Sequence, residues 1–411
     1  GKEVYRGPIR SQPRRLYYDL FDLAPFLKAG ENVLAVYVKY YGKAKSYWMP
    51  APAGMGGGQH GPQMVFEASL GGDNWLVSDE TWKTHKSTAW DEDWRGGRAV
   101  FFLEEGIPLE IFDARKFPFG WEQPGFDDSA WGSAHIMGRP VFGVLSGAKP
   151  PSEPYGPLYP RPIAKLGGAR LLPASGTLQH LTGQVDLKET DPVRRLEASL
   201  NLTGNTPVPA CPPIKLELQP AASARITLDM GRIVMGQVQF TIQAPAGTIL
   251  DISYTEEPLR PPRGPFGGMH SGTRYYARGA NDTFSVYDAL GFRYANLLFH
   301  GTQGQVTLSD FAVQEDIYPW QPGAEFQCSD EELNKIFHAG IRTVNLNARD
   351  AFTDCPTREQ QAWVGDSVVH QMVTLVTNTD WRLAWQYLTL SDSPRSDGIL
   401  PMTVVGAPEA S

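Results

Sequence analysis

The chain has 411 residues, of which 41% are hydrophobic and 20% charged, which excludes a disordered chain and a short disulfide scaffold and leaves room for two or three domains. Its 42 glycines and 34 prolines exclude a wholly helical protein and predict mostly strands and loops. The net charge of -8 argues against a nucleic-acid or anionic-membrane partner, because such partners are attracted to positive surfaces.

The first 149 residues have the pattern of a β-sandwich. Residues 32–39 and 63–70 are runs of β-branched and aromatic residues bounded by turn residues, as expected for strands. The tryptophans of this segment either belong to its core or lie exposed, where an indole ring can stack on the face of a sugar. They are Trp75, Trp82, Trp90, Trp94, Trp121 and Trp131.

A proline-rich stretch, residues 150–162, predicts an extended linker between two domains, because prolines fix φ and remove amide donors. Strand patterns return after it, at residues 225–231, 236–243, 248–254, 284–287 and 293–299. The second of these runs alternates polar and apolar side chains, which is typical of a sheet with one covered face. We therefore expect a second antiparallel β-sandwich over residues 163–325.

From residue 326 the hydrophobic pattern becomes helical. Ser329 and Glu332 form a capping-box pattern, which predicts that a helix begins just after Ser329. Apolar residues follow at helical spacing: Leu333, Ile336, Phe337, Ile341 and Val344. A second helix is predicted to begin at Pro356. A third contains the apolar residues Trp381, Leu383, Trp385 and Leu388.

Residues 354–366, with the sequence DCPTREQQAWVGD, contain the most informative group of side chains. Pro356 is favoured in the first turn of a helix, where its missing N–H group is not needed. Glu359, Trp363 and Asp366 then have the i, i+4, i+7 spacing that places three side chains on one helical face. The sequence predicts two carboxylates and an indole on a common surface.

Such a surface has a chemical use. Like charges and an apolar wall raise the pKa of one carboxyl group, so that it stays protonated near neutral pH while its neighbours are ionised. Glycoside cleavage needs one protonated carboxyl group beside ionised ones. Asp354 is a further carboxylate, at the start of the same predicted helix. The alternative is a solvated acidic face that complements the helix dipole. Trp363 between the acids argues against that alternative, but spacing alone leaves the function open.

The segment DCPTREQQAWVGDS, residues 354–367, resembles the signature of the bacterial inverting α-L-rhamnosidases of glycoside hydrolase family 78, which usually reads close to DCPQRDERLGWTGDA. Residues 22–33 and 126–131 resemble the galactose-binding-like sandwich that is common in glycosidases. Similarity to the β-domain that precedes the catalytic domain of the family lies at residues 228–236, 244–248 and 291–294. The resemblance therefore spans nearly the whole chain.

This resemblance implies a role for each residue of the signature. Glu359 matches the general acid that protonates the glycosidic oxygen. Asp354 and Asp366 match acids that bind sugar hydroxyls, and Trp363 matches an aromatic residue that lines the rhamnose pocket. Arg358 is expected to orient a carboxylate through bidentate hydrogen bonds. The chain departs from the family in two ways: no acid stands between Arg358 and Glu359, and Asp354 lies one residue nearer to Glu359.

The resemblance also implies the architecture. The catalytic domain of the family is an (α/α)6 barrel, and residues 326–411 have room for its first helices only. We therefore expect two antiparallel β-sandwich domains, residues 1–149 and 163–325, followed by the start of that barrel. No residue of the chain matches the general base of the inverting mechanism, so these residues alone are expected to be inactive. The expected substrate is a rhamnose-containing glycan or glycoside, and no cofactor is implied.

Two other functions remain open from the sequence. One is a non-catalytic glycan-binding protein that uses its tryptophan-rich first domain, and the other is a helical-toroid glycosidase or lyase of different specificity. The histidines and cysteines show no metal-ligand spacing. Asp127 and Asp128 are compatible with a calcium ion held in a loop or with a simple turn. No apolar run is long enough to span a membrane, and the compartment is left undetermined.

Overall fold

The computed structural model of the protein describes residues 2–11, 15–39, 64–91, 109–136, 158–181, 203–258, 271–357, 360–392, 400 and 403–404. These residues form a largely β structure with a few α-helices towards the end of the chain. The strands are β1 (Leu16–Tyr18), β2 (Glu67–Ser69), β3 (Trp75–Val77), β4 (Lys83–Thr84), β5 (Leu109–Asp113), β6 (Gly132–Ser133), β7 (Leu158–Pro160), β8 (Arg170–Leu171), β9 (Ser175–Leu181), β10 (Thr203–Val208), β11 (Ile214–Leu218), β12 (Ser223–Gln243), β13 (Ile249–Thr255), β14 (Ser271–Tyr276), β15 (Asn281–Ser285), β16 (Leu290–His300) and β17 (Gly304–Glu315). The α-helices are α1 (Glu331–Asn347), α2 (Val364–Thr377) and α3 (Arg382–Ser391), and two short 3-10 helices lie at Ala24–Phe26 and Ala114–Lys116.

A large sheet of 11 strands dominates the structure. Its strands follow the order β10, β9, β12, β16, β13, β14 and β5, while β12 also pairs with β15 and β17, and β17 with β8 and β11. The 21 residues of β12 pair with β9 over residues 223–229 and with β17 over residues 236–243. The two ends of β12 therefore have different neighbours.

Alternating side chains build the core of this sheet. In β11, Ile214, Leu216 and Leu218 are buried while Lys215 and Glu217 point to solvent, which is the period of two expected for a strand with one covered face. Both ends of β12 contribute to a single buried apolar cluster. Its members from β12 include Ala224, Ile226, Leu228, Val238, Phe240 and Ile242.

Several strands of this sheet were predicted from the sequence. The runs at residues 248–254 and 293–299 correspond to β13 and β16, and the run at 284–287 overlaps the end of β15. The runs at 225–231 and 236–243 are parts of the single strand β12 rather than two strands. The pairing with β16 shifts register between Asp229 and Val234, and this irregularity interrupts the sequence pattern within a continuous strand.

The first segment of the chain also contributes to the large sheet. Strand β5 pairs in parallel with β14 as an edge strand, so the sheet crosses the domain boundary expected from the sequence and is not purely antiparallel. Part of the predicted linker, residues 158–160, is strand β7, which pairs in parallel with β1. Residues 150–157 of the linker lie outside the described residues, and residues 161–162 follow β7 without regular secondary structure.

The two strands predicted within the first segment have different outcomes. Residues 32–39 form no strand among the described residues, and the Lys39 ammonium at the end of this run lies 2.6 Å from a carboxylate oxygen of Asp288. The ring of Tyr37 lies 5.7 Å from that of Tyr287. Within the run 63–70, only β2 is a strand, and Gln63 lies outside the described residues.

Aromatic residues of this segment are divided between packed and exposed positions. Trp90 packs edge-on against Phe112, with ring centroids 4.4 Å apart, and Trp121 and Trp131 lie 5.9 Å apart. Trp75 is 56% exposed. Trp90 thus packs on the core and Trp75 lies exposed, while stacking of an exposed indole on a sugar stays a prediction.

Two further expectations concern Trp94 and the aspartates. Trp94 lies outside the described residues. Asp127 accepts a hydrogen bond from the amide of Ser129 (3.1 Å), and the carbonyl of Asp128 accepts one from the amide of Trp131 (2.9 Å), as in a turn. The described residues contain no cluster of three His, Cys, Asp or Glu side chains suited to a metal ion.

Helix α1 is capped by Asp330 rather than by Ser329, which corrects the predicted cap. The Asp330 carboxylate accepts hydrogen bonds from the amides of Glu332 (2.9 Å) and Leu333 (3.4 Å), and Asp330 has the extended backbone of a cap residue. None of the described helices has the length and apolar character required to cross a bilayer.

The helices enclose a second buried cluster, which includes residues from the beginning of the chain. Ile9 and Tyr17 pack there with Val344, Phe352 and Leu390. The cluster lies next to the signature segment, since Ala362 belongs to it as well. The first residues of the chain are therefore part of the helical core.

Candidate active site

No helix begins at Pro356, and the described part of the signature before residue 364 is a loop that leads into helix α2. The described residues between 353 and 363 are not helical, and α2 begins only afterwards. Gln360 has a φ of 54°, in the left-handed region, and Trp363 has φ -64° and ψ 128°, which is extended. Both conformations are incompatible with a continuous α-helix.

The predicted common helical face of Glu359, Trp363 and Asp366 is therefore wrong. Trp363 is the residue before the first turn of α2, whereas Asp366 lies within that turn. The i, i+4, i+7 rule applies only inside one helix, so it does not relate these positions. Glu359 and Arg358 lie outside the described residues.

Two hydrogen bonds join Asp354 to Gln361 and close the loop. The Asp354 amide donates to the Gln361 carbonyl (2.8 Å), and the Gln361 amide donates to Oδ1 of Asp354 (2.9 Å). Gln361 is buried, and the adjacent Ala362 is fully buried. The chain positions of Arg358 and Glu359 thus lie between two residues that are fixed to each other.

The loop contacts the end of the large sheet. The hydroxyl of Thr357 donates a hydrogen bond to the carboxylate of Glu256, just after β13. The carbonyl of Pro356 lies against Gly291 in β16, and the side chain amide of Gln360 donates to the same carbonyl (3.0 Å). The sheet therefore forms the support of the segment that contains the predicted catalytic residues.

Helix α3 holds the other end of the loop. The hydroxyl of Tyr387 donates to the carbonyl of Trp363 and to that of Ala362, each at 2.8 Å. The Trp363 side chain is half-buried, and Asp366 is exposed in the first turn of α2. A carboxylate at that position is stabilised by the positive end of the helix dipole.

His370 is a titratable residue of this region that the sequence reasoning missed. It lies one turn after Asp366 in α2 and is buried, with its ring 5.9 Å from that of Phe352. Burial lowers the pKa of its imidazole, and the nearby Asp366 carboxylate opposes that shift only partly. His370 is therefore neutral at physiological pH. Its i+4 spacing from Asp366 was the available sequence signal.

Two ion pairs connect the segment after α1 with other parts of the protein. The Asp350 carboxylate accepts a hydrogen bond from the Arg10 amide (2.8 Å), and Arg349 pairs with Asp316 after β17. Burial raises the pKa of Asp350, but the charges of Arg10 and Arg349 outweigh burial and keep that pKa below its usual value. Asp350 is therefore ionised at neutral pH.

The structure describes three of the five predicted site residues. Asp354 begins the closed loop, Trp363 lies two residues after Gln361, and Asp366 lies in the first turn of α2. Carboxylates and an indole in one short segment suit a neutral ligand that has hydroxyl groups on one side and an apolar surface on the other. Glu256 and Gly291 were not predicted as parts of the site, because no local pattern connects them with the signature.

Comparison with protein families gives two matches. Residues 321–409 match the family described as the bacterial alpha-L-rhamnosidase 6 hairpin glycosidase domain. Residues 2–153 match the alpha-L-rhamnosidase N-terminal domain. The signature loop lies inside the first of these matches.

Comparison with individual proteins points in the same direction. Curated alpha-L-rhamnosidases from Formosa agariphila and Streptomyces avermitilis are each 24% identical to the chain, over 89% and 94% of its length and over 33% and 32% of theirs. The chain thus spans about a third of these relatives. The crystal structure of a GH78 family rhamnosidase from Bacillus sp. GL1 superposes with a TM-score of 0.69 at 18% identity, covering 98% of this chain and 59% of that one.

Proposed function

The chain belongs to the bacterial α-L-rhamnosidases of glycoside hydrolase family 78, and we propose that the protein which carries it hydrolyses terminal α-L-rhamnose from glycans or glycosides with inversion of configuration. The observation that carries this proposal is the closed loop from Asp354 to Gln361, which contains Glu359 of the signature and lies within the matched glycosidase domain. The reaction needs no redox cofactor.

Each signature residue takes a role in this proposal. Glu359 is the general acid that protonates the departing glycosidic oxygen as the rhamnosyl bond breaks. Asp366 and Asp354 accept hydrogen bonds from sugar hydroxyls, and the Asp354 oxygen that bonds the Gln361 amide also fixes the loop. Trp363 packs against the apolar face of rhamnose, and Arg358 orients a carboxylate. The general base belongs to another part of the protein.

The proposed architecture is two β-sandwich domains followed by the first helices of an (α/α)6 barrel. The burial pattern of helix α2 is an argument for the proposed barrel, because the helix buries polar residues and exposes apolar ones. The buried residues are Ser367, His370, Thr374 and Thr377. The exposed residues are Val368, Val369, Met372, Leu375 and Val376. An apolar helical face of this kind needs a covering partner, and further barrel helices would supply it.

The general acid is tested by Glu359→Gln in the complete protein. The amide keeps the shape of the side chain but has no proton to give to a leaving group. Hydrolysis of phenyl α-L-rhamnoside, whose leaving group is poor, should fall by about 10²- to 10⁴-fold in kcat/KM. NMR of the first sugar product should show the inverted anomer.

Glu331→Gln is the matched control, since Glu331 is an exposed carboxylate in the first turn of α1. This variant should retain the activity of the unmodified protein. Full activity of the Glu359 variant would remove the assignment of the general acid. If the unmodified protein bound rhamnose without hydrolysing any rhamnoside, the glycan-binding alternative would replace the proposed enzyme.

A further inference from the structure

Gly291 lies in closer contact with the signature loop than any side chain would permit. A Cβ atom built on Gly291 would lie 2.0 Å from the carbonyl oxygen of Pro356, 2.4 Å from its carbonyl carbon and 2.9 Å from its Cβ. These atoms belong to a proline and its backbone, which have no flexible end that can move aside. Only glycine allows this approach.

The backbone of Gly291 does not itself require glycine. Its φ lies outside the left-handed region, so an alanine there would have an ordinary strand conformation. Gly291 pairs with Met235 in the ladder between β12 and β16, and its neighbours Leu290 and Phe292 are buried in the core. The strand is held by its pairing with β12 and by the burial of these two side chains, so a clash at position 291 would displace the loop.

A second contact fixes the next residue of the loop. The Thr357 hydroxyl donates a hydrogen bond to the carboxylate of Glu256, which follows β13. Hydrogen bonds to an ionised acceptor are stronger than those between neutral groups. This contact and the bonds between Asp354 and Gln361 hold three described residues of the loop in place.

We infer that Gly291 and Glu256 are positioning residues of the active site, which set the location of the signature loop and hence of its general acid. The inference rests on the proposed function, because it concerns the acid that the loop contains. It makes the β-structure a part of the catalytic machinery rather than a separate module. A misplacement of about 1 Å can reduce a rate by about 10²-fold.

The test uses Gly291→Ala in the complete protein and two substrates that differ in their need for an acid. Phenyl α-L-rhamnoside has a poor leaving group that must be protonated, whereas 2,4-dinitrophenyl α-L-rhamnoside has one that departs without a proton. We expect kcat/KM to fall about 10²-fold for the phenyl substrate and to change little for the dinitrophenyl substrate. A general folding defect would lower both rates equally.

Two glycine variants control for steric and for unspecific effects. A Cβ on Gly176 in β9 would lie 2.8 Å from a side-chain methyl of Val208, so Gly176→Ala strains the same sheet in a strand that pairs with β10 and β12 and not with β16. Gly340→Ala in α1 meets no atom within 4 Å. Neither should reduce the phenyl rate selectively. Thr357→Val removes the hydroxyl and should cost about tenfold on the phenyl substrate, while Thr357→Ser should restore that loss.

Hydrogen–deuterium exchange separates this inference from the proposed function. The amides of Asp354 and Gln361 are hydrogen-bonded within the loop, so Gly291→Ala should accelerate exchange of the peptide that contains them by about tenfold, and Gly340→Ala should not. An unmodified protein that hydrolyses neither rhamnoside would refute the proposed function, and the exchange rates would still test the positioning. Unchanged exchange in the Gly291 variant, or equal losses on both substrates, would refute the inference.

Discussion

Asp251 and Arg274 form an ion pair that is almost wholly removed from water. Nε of Arg274 lies 2.6 Å from one carboxylate oxygen of Asp251, and Nε2 of His300 lies 2.9 Å from the other. The Arg274 and Asp251 side chains are 4% and 0% exposed. Burial raises the pKa of Asp251, but the hydrogen bonds from His300 and Arg274 outweigh burial and lower it. Asp251 is therefore ionised inside the protein.

Arg274→Met should destabilise the protein strongly, because it leaves the buried Asp251 carboxylate without the positive charge of Arg274 and with His300 alone. The free energy of unfolding should fall by about 3–5 kcal/mol, as measured by urea unfolding. Arg170→Met is the control: Arg170 and Asp310 form an ion pair in which both side chains are about 40% exposed, and its loss should cost less than about 1 kcal/mol. Equal losses in the free energy of unfolding would show that the buried ion pair contributes no more to stability than the exposed one.

Residue identities in the signature could be read from the sequence, but their geometry could not. The resemblance predicted functional roles for Asp354, Glu359, Trp363 and Asp366, and these roles stay predictions. It did not show that Asp354 accepts the Gln361 amide, because that bond forms only in the folded loop. Local preference is the reason for the error: proline suits a first helical turn, and tertiary contacts overrode this preference.

Helix α1 begins one residue later than its sequence pattern indicated. Asp330→Ala should lower the free energy of unfolding by about 1 kcal/mol, because two amide donors of the first turn lose their acceptor. Ser329→Ala, at the predicted cap, should have almost no effect, since Ser329 is exposed and precedes the cap residue. Chemical unfolding of both variants measures the difference. A larger loss of stability in Ser329→Ala than in Asp330→Ala would show that Ser329 is the cap residue, as the capping-box pattern predicted.

Strands were easier to predict than their partners. The periodicity of β13 and β16 is local, so their approximate limits were visible in the sequence. The union of two predicted strands in β12 was not visible, because Gly231 and the register shift interrupt the pattern there. The parallel pairing of β5 with β14 joins residues more than a hundred positions apart, which no local pattern contains.

At the scale of the whole molecule, the chain is more interwoven than a series of sequence segments. The hydroxyl of Tyr17 donates to the side chain of Gln386 in α3 (3.0 Å), and the amide of Arg10 donates to Asp350. The beginning of the chain thus supports the helices that hold the signature loop. The predicted division of the chain at the proline-rich stretch could not include these contacts. Strand and helix patterns are local and carry no information about contacts across hundreds of residues.

The apolar face of α2 should have opposite effects in short and complete forms of the protein. Residues 1–411 leave Val369 and Met372 exposed to 62% and 65%, so this polypeptide should self-associate at micromolar concentrations. Replacing both with glutamate should reduce the association, as measured by sedimentation velocity. If further helices of the proposed barrel cover this face in the complete protein, the same substitutions should lower its free energy of unfolding by about 2 kcal/mol or more for each side chain.

Thr343→Glu is a suitable control, because Thr343 lies on α1 with an exposed side chain that donates a hydrogen bond to the Ala339 carbonyl of its own helix (2.8 Å). It should alter neither the association of the short form nor, beyond about 1 kcal/mol, the stability of the complete protein. The two forms together test one physical claim, that an apolar helix face is covered by other parts of the same protein. The proposed barrel would be contradicted if residues 1–411 were monomeric with and without the substitutions at Val369 and Met372. It would also be contradicted if the complete protein kept its stability with glutamate at both positions.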